Sequence, residues 1–268
     1  MASTSPAATA PKEHTAVNHE LYSKPGTYKA YLSQVLEPSE TACLLRHQPR
    51  FAGKDVLDIG VGAGRTTRYL APLAARYQAV DYSPDMIGYM QRAMPSISSQ
   101  LADFRDLSMF PDGSFDFVLA SNNVIDYLTH EDRPKGMREV FRLLRPGGMF
   151  VFSSHNLRYS HATDIPAMEW TSHPIRFYRG LQNYLKNSRN HARVGKLREI
   201  HPDYALLNDM GHNFGVIHYY SLPENVISQL QNAGLQINTI FDKQGRLVSD
   251  YADTTESSNL TYAAEKIS

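Results

Sequence analysis

The sequence predicts an α/β chain built on a doubly wound, mostly parallel sheet, and three observations carry that prediction. Asp55 to Pro72 reads DVLDIGVGAGRTTRYLAP, a short apolar strand, a glycine turn and a helix-competent segment in one run. Further strand-like runs, Tyr77–Asp81 (YQAVD), Ser98–Ala102 and Phe115–Ala120 (FDFVLA), alternate with helical patterns. FDFVLA is nearly continuous in apolar character, as strands buried on both faces of a parallel sheet are. Such alternation closes into a doubly wound sheet because parallel neighbours need right-handed crossovers.

The first motif sets the ligand chemistry. Glycine at 60, 62 and 64 allows positive φ angles and lets a ligand rest close to the backbone at a helix N-terminus. A dinucleotide fingerprint, GxGxxG, would place its third glycine where this chain has Arg65. The chain reads DxGxGxG instead. Asp58 then sits at the strand tip, where a carboxylate can take a cationic amino group directly or through water, which favours an amino-acid-bearing nucleoside over a pyrophosphate. The second strand ends in Asp81, 21 positions after Gly60 and suited to both hydroxyls of a ribose. The third is followed by Asp103 and Phe104, an acid and an aromatic suited to an adenine amino group and ring face. Any one of these also has a plainer reading as a glycine turn or a surface aspartate; three strand tips each with an acid point to a bound nucleoside.

VLDIGVGAG, AVDYSPDMI, LADFRDLSMFPDGSFDFVLASNNVIDYL and LLRPGGMFVFSSHN together resemble class I S-adenosylmethionine (SAM)-dependent methyltransferases, in the type 11-like group that modifies small molecules. The resemblance covers about residues 55–156, with weaker echoes in HYYSLPENVISQLQNAGL and at the C-terminus. It implies a Rossmann-like methyltransferase fold with seven strands in the order 3214576. The last two strands, Gln236–Phe241 and Leu260–Ala264, are then antiparallel, with Asp250–Ser258 as their turn. It also implies SAM as cofactor and S-adenosylhomocysteine as product. By the same resemblance Asp58, Gly60, Gly62 and Gly64 hold the methionine moiety, Asp81 the ribose and Asp103 and Phe104 the adenine. Tyr82 and Met86 pack on the nucleoside, and Asn122 follows the fourth strand beside the cofactor.

The 268 residues suffice for one α/β domain with an insertion. Zero net charge and a pI near 7.2 argue against a general nucleic-acid or membrane-surface binder. The single cysteine, Cys43, makes no internal disulfide. Residues 1–12, rich in Ala, Ser, Thr and Pro, read as a disordered tail rather than a signal peptide, and 13–268 as one domain. No run is apolar enough to span a bilayer, so the cytoplasm is the expected location. Residues 13–50 are expected to form cap helices, broken by Pro25 and Gly26. Their Tyr22, Tyr28 and Tyr31 either shelter a sulfonium with their ring faces or cover the sheet edge, with Tyr28 expected to reach the site.

Pro84–Met94 carries Met86, Tyr89, Met90 and Ala93 at helical spacing, and Met137, Val140, Phe141 and Leu144 mark a later helix, followed by a fifth strand at Gly148–Ser153. In such sheets ligands meet the carboxyl ends of the strands at the switch point. Strand four ends in Ser121, Asn122 and Asn123 with Asp126 and Tyr127 beyond, and strand five in Ser154, His155 and Asn156. A loop histidine is often a solvated or capping residue, yet at this tip His155 can act as a general base. An NPPY-type motif is absent, the residues being SNNV, so nucleic-acid amino groups lose support.

Residues 157–218 interrupt the alternation before the helix Pro223–Ala233 and read as an inserted substrate lid. Seven cations (Arg176, Arg179, Lys186, Arg189, Arg193, Lys196, Arg198) fall there with no acid among them; a solvated helix face is the plain reading, and an anionic substrate group or RNA the sharper one. His212 and His218 are six apart, and no HExxH or compact His and carboxylate set appears, so no metal is expected. The expected acceptor contacts are Tyr28, Asn156, His218 and Tyr220. The resulting expectation is methyl transfer from SAM to N or O of a small, aromatic or heteroaromatic metabolite, of the secondary-metabolism kind. The alternatives are an RNA or protein methyltransferase using residues 176–198, and a non-catalytic SAM-binding scaffold. The expected partner is the small acceptor, with a homodimer admitted, no membrane and nucleic acid disfavoured.

Overall fold

Period-two apolar strands and amphipathic helices assemble around one central sheet. The computed structural model describes residues 13–22, 24–168 and 170–267, so the tail expected to be disordered lies outside the described residues. Two helices, α1 (Glu13–Tyr22) and α2 (Pro38–Arg46), precede β1 (Asp55–Ile59). There follow α3 (Thr67–Leu70), β2 (Arg76–Asp81), α4 (Pro84–Ala93), β3 (Ser98–Leu101), β4 (Phe115–Ala120), α5 (Arg133–Leu143) and β5 (Leu144–Asn156). The insertion contributes α6 (Pro174–Val194), β6 (Glu199–Ile200), β7 (Tyr204–Leu207) and the start of β8 (His218–Ser221). The chain ends with α7 (Pro223–Asn232), β9 (Leu235–Phe241) and β10 (Asn259–Lys266).

Strands run β3-β2-β1-β4-β5 in parallel, and β10 then β9 continue beyond β5, each antiparallel to its neighbour. These seven reproduce the expected order 3214576. The sheet has ten strands rather than seven, because β8, β7 and β6 branch from the tip of β5. The cause is visible in the register. β4 last pairs at Ala120↔Phe152, leaving the β4-side edge of His155 and Asn156 open, and β8 fills it through His155↔Tyr220 and Asn156↔Ser221. The insertion is therefore partly an extension of the sheet.

β5 is also longer than the expected Gly148–Ser153. Its ladder to β4 begins at Phe115↔Leu144 and shifts register before Phe117↔Met149, and Gly147 at φ 72° accommodates the irregularity. Alternation along the strands builds two cores. Leu57, Phe150 and Phe152 face α5 and α7 with Met137, Val140 and Leu230, while Val56, Phe117 and Val151 face α2, α3 and α4 with Cys43, Leu70 and Met90. Each such buried side chain contributes about 1.5–3 kcal/mol. α4 starts sharply because Ser83 accepts from the Met86 backbone N–H at 3.4 Å and Pro84 occupies the first helical position.

Candidate active site

The glycine turn after β1 divides its labour. Gly60, Gly62 and Gly64 all have positive φ. A Cβ on Gly60 would lie 2.5 Å from Val124 and one on Gly64 2.8 Å from the Met90 sulfur, whereas one on Gly62 meets nothing within 4 Å. Gly60 and Gly64 thus serve close packing, and Gly62 faces an open groove. That groove is walled by Gly60, Gly62, Asp81, Tyr82, Met86 and Asn122, all expected from the sequence, by Tyr31 and Tyr127, which the sequence offered as candidates, and by Gln34 and Arg65, which were not expected there. Asp81 lies beneath the turn: one oxygen accepts from Gly62 N at 2.9 Å and the other from Ser83 N at 2.8 Å. Burial pushes its carboxyl up to about 6, against those backbone donors.

The groove continues past Tyr82, Val124 and Tyr127 to Asp103, Phe104 and Leu128. Asp103 is gripped by Arg105 at 2.6 and 2.9 Å, and Arg105 also meets Asp132 at 2.9 Å. Asp58 departs from expectation. It is buried under the turn, accepting from the Thr66 and Tyr77 hydroxyls, and it is absent from the groove wall. Burial lifts its carboxyl to about 6. Arg65 adds a tie: its guanidinium holds both oxygens of Glu40, one at 2.6 Å, and the Ser121 hydroxyl at 2.8 Å, joining α2 to the turn and the tip of β4. Burial opposes ionisation of Glu40, and the Arg65 and Ser121 contacts outweigh it.

At the end of β4 the chain turns through Asn122 and Asn123, both left-handed at φ 57° and 59°, a conformation asparagine tolerates better than most residues. The turn delivers Asp126 under His155. The buried Asp126 carboxylate accepts from His155 N at 2.6 Å, His155 Nδ1 at 2.7 Å, Ser154 Oγ at 2.6 Å and the buried Arg133 at 2.7 Å. Burial opposes its charge, but the His155 and Arg133 contacts hold it below the usual carboxylate range. An ionised carboxylate only accepts, so Nδ1 of His155 donates to it, which leaves Nε2 facing Asn123, at 3.2 Å. A second pair faces the first. His218 Nδ1 lies 2.9 Å from Asp209, which also accepts from the Tyr220 hydroxyl at 2.5 Å, while His218 Nε2 lies 3.3 Å from the Tyr127 hydroxyl. Burial works against charging His218, and Asp209 raises its pKa above the ordinary value nonetheless.

These groups line a cleft of about 780 Å³ that shares Tyr31, Gln34, Asn122 and Tyr127 with the groove. His155, Asp209 and His218 bring three donor atoms within 4.8 Å of one another, a set their sequence spacing does not reveal. Their geometry suits proton exchange better than an ion: the two imidazoles stack at 4.7 Å and 19°, so their in-plane lone pairs run side by side instead of converging.

Residues 56–148 match the family model described as "Methyltransferase domain". The chain is 33% identical over 118 residues to a probable S-adenosylmethionine-dependent methyltransferase of Mycolicibacterium smegmatis, covering 44% of each chain. Residues 56–148 thus form a methyltransferase domain similar to those of S-adenosylmethionine-dependent methyltransferases. Its match spans less than half the length of such curated relatives. The methyltransferase fold extends further than the sequence match. The CcbJ methyltransferase of Streptomyces caelestis superposes with a TM-score of 0.62 at 18% identity, over 92% of this chain and 98% of that one. The Burkholderia thailandensis 1,6-didemethyltoxoflavin-N1-methyltransferase, solved with 1,6-didemethyltoxoflavin and S-adenosylhomocysteine, superposes with a TM-score of 0.60 at 15% identity, over 99% and 94%.

Several residues sit elsewhere than expected. Asn156 is fully buried, donating to Thr254 O at 2.8 Å and Ser257 O at 3.0 Å and accepting from Arg158 N, so it braces the loop before β10. Tyr28 stacks on Tyr89 of α4 at 4.6 Å, and Tyr31 lines the groove and cleft in its place. Both tyrosines lie in one 3-10 turn, whose three-residue period puts them on the same side one turn apart. The Tyr22 side chain lies outside the described residues. His218 and Tyr220 do line the cleft. Arg133 and Asp209 went unseen in the sequence because nothing local marks them: each gains its role from a partner brought by another element. None of the seven cations of residues 176–198 lines the cleft.

Proposed function

We propose that the chain binds SAM in the groove after β1 and transfers its methyl group to N or O of a small, planar, aromatic or heteroaromatic acceptor in the adjoining cleft. The observation that carries this reading is the shared wall, Tyr31, Gln34, Asn122 and Tyr127, which lines both the groove and the cleft and sets them side by side. The groove fits the cofactor: an exposed backbone at Gly62, a carboxylate at Asp81 for the ribose, and Asp103 with Phe104 for the adenine. Asp58 then steadies the turn instead of touching the ligand. When bound, SAM supplies a methyl on an electrophilic sulfonium. Aromatic faces in the cleft, among them Tyr127, His155, His218 and Tyr220, suit a flat acceptor, and the Burkholderia relative holds such a molecule.

Where the acceptor carries a proton on the reacting atom, His155 Nε2 takes it as the bond to carbon forms, and Asp126 stabilises the resulting imidazolium through Nδ1. A neutral ring nitrogen needs no base. The enzyme otherwise aligns the lone pair behind the methyl and excludes water, and residues 157–218 form the wall that selects the acceptor. An RNA or protein acceptor is not favoured, because the basic residues of α6 stay out of the cleft.

The test is incubation with methyl-labelled SAM and an acceptor library or cell extract. Label in a small aromatic product supports the reading. SAM binding without any labelled product would make the chain a non-catalytic SAM-binding protein, and label in RNA or protein alone would replace the acceptor class.

A further inference from the structure

The long helix of the insertion carries a surface that the cleft does not use. Of the 21 residues of α6 only Val194 is buried. Its outward side carries two adjacent rows. Tyr178, Leu185 and Ala192 repeat every seven residues, and Arg179, Lys186 and Arg193 repeat one position later, so an apolar stripe runs beside a cationic one. Ile175 and Tyr178 are each 61% exposed, Leu185 45%, and Trp170, just before the helix, 81%. All three cations of the row are exposed, as are Arg176, Arg189 and Lys196.

Charge is segregated accordingly. From Trp170 to Arg198 there are seven cations and no acid, leaving twenty cations against twenty-seven acids in the rest of the chain. Zero net charge conceals this local excess. Asn187, about 100° round α6 from the cationic row, lines the acceptor cleft, and the cations do not. The basic row therefore stays out of the cleft.

We propose that α6 with Trp170 docks on an anionic lipid surface. A 21-residue helix is about 31 Å long, enough to lie along a bilayer. The apolar row and Trp170 enter the headgroup boundary, where aromatic residues are favoured, and the cationic row meets lipid phosphates. An RNA partner would engage the guanidinium groups but leave Ile175 and Leu185 in water. Ile165 and Met210, exposed at 62% and 73%, line the acceptor cleft in the same insertion.

Trp170 is the sole tryptophan, which makes the full chain its own reporter. Mixing it with phosphatidylcholine vesicles containing phosphatidylglycerol should shift its emission to the blue and carry the protein down with the vesicles. Pure phosphatidylcholine should do neither, and high salt should reverse both effects. The triple variant Arg179→Glu, Lys186→Glu, Arg193→Glu should lower the partition coefficient about a hundredfold. Tyr178→Ser with Leu185→Ser should lower it while leaving the circular dichroism unchanged, since both side chains are exposed. Absence of binding to the anionic vesicles, equal binding to both lipids, or unchanged binding by the charge-reversed variant overturns the proposal. A blue shift with an RNA oligonucleotide but not with vesicles would overturn it in favour of RNA.

Discussion

His155 and Asp126 meet through two hydrogen bonds to a single carboxylate oxygen, one from the His155 backbone N at 2.6 Å and one from Nδ1 at 2.7 Å. Backbone and ring are held by the same atom, so the ring cannot rotate without losing a bond. Its Nε2 stays directed at Asn123 and the cleft.

The first prediction follows from that arrangement. For an acceptor that loses a proton, His155→Ala should lower the single-turnover methylation rate on the order of a hundredfold, with SAM affinity unchanged. His155→Asn separates roles, since an amide can hold the acceptor but cannot take its proton. Near-full activity in His155→Asn would leave an orienting role only. Near-full activity in both variants would move attention to His218 and Tyr220.

If SAM occupies the groove as proposed, Asp81 should make its binding pH-dependent. Its carboxyl, raised to about 6, accepts ribose hydroxyls best when ionised. Affinity should therefore weaken by up to about tenfold per pH unit below 6 and level off above it. Asp81→Asn should weaken SAM by about 1–3 kcal/mol at neutral pH and flatten the profile. Calorimetric titration across pH decides it, and an unchanged dissociation constant in the folded variant would remove Asp81 from the site.

The glycines separate packing from binding. Gly62→Ala should keep the fold apart from about 1–2 kcal/mol of left-handed strain, while its methyl projects into the groove and weakens SAM. Gly60→Ala should instead lower the melting temperature, because its Cβ has no room beside Val124. Equal loss of stability in both would mean the groove does not open at Gly62.

Asp58 gives a stability prediction. Burial raises its carboxyl from 3.8 to about 6, so the folded chain binds its proton more tightly than the unfolded one. That contribution to stability is present at low pH and is lost as pH rises between about 4 and 6. Asparagine has no such titration. The stability of Asp58→Asn relative to the wild type should rise across that window by up to about 3 kcal/mol and then stay level. Urea unfolding on either side of the window measures it; a flat difference would place the titration elsewhere.

The sequence alone determined seven strands of the sheet, the glycine turn and the acids near the strand tips. Those signals are local: side-chain alternation, glycine where φ is positive, and a carboxylate at or near the end of a strand. It also pointed to the tip of β5 as the place where chemistry collects, with His155 there. What it could not settle was orientation and partnership. Whether Asn156 faces the cleft or the loop before β10 depends on β10 lying beside β5, and whether Tyr28 or Tyr31 reaches the groove depends on how one 3-10 turn meets α4. Asp126, Arg133, His155 and Ser154 form one buried network from three segments, and Asp209 joins His218 and Tyr220 only because β8 pairs with the open tip of β5. Tertiary structure decided these, because a buried charge or imidazole takes its protonation and direction from whichever groups packing places against it, at separations along the chain that no local pattern records.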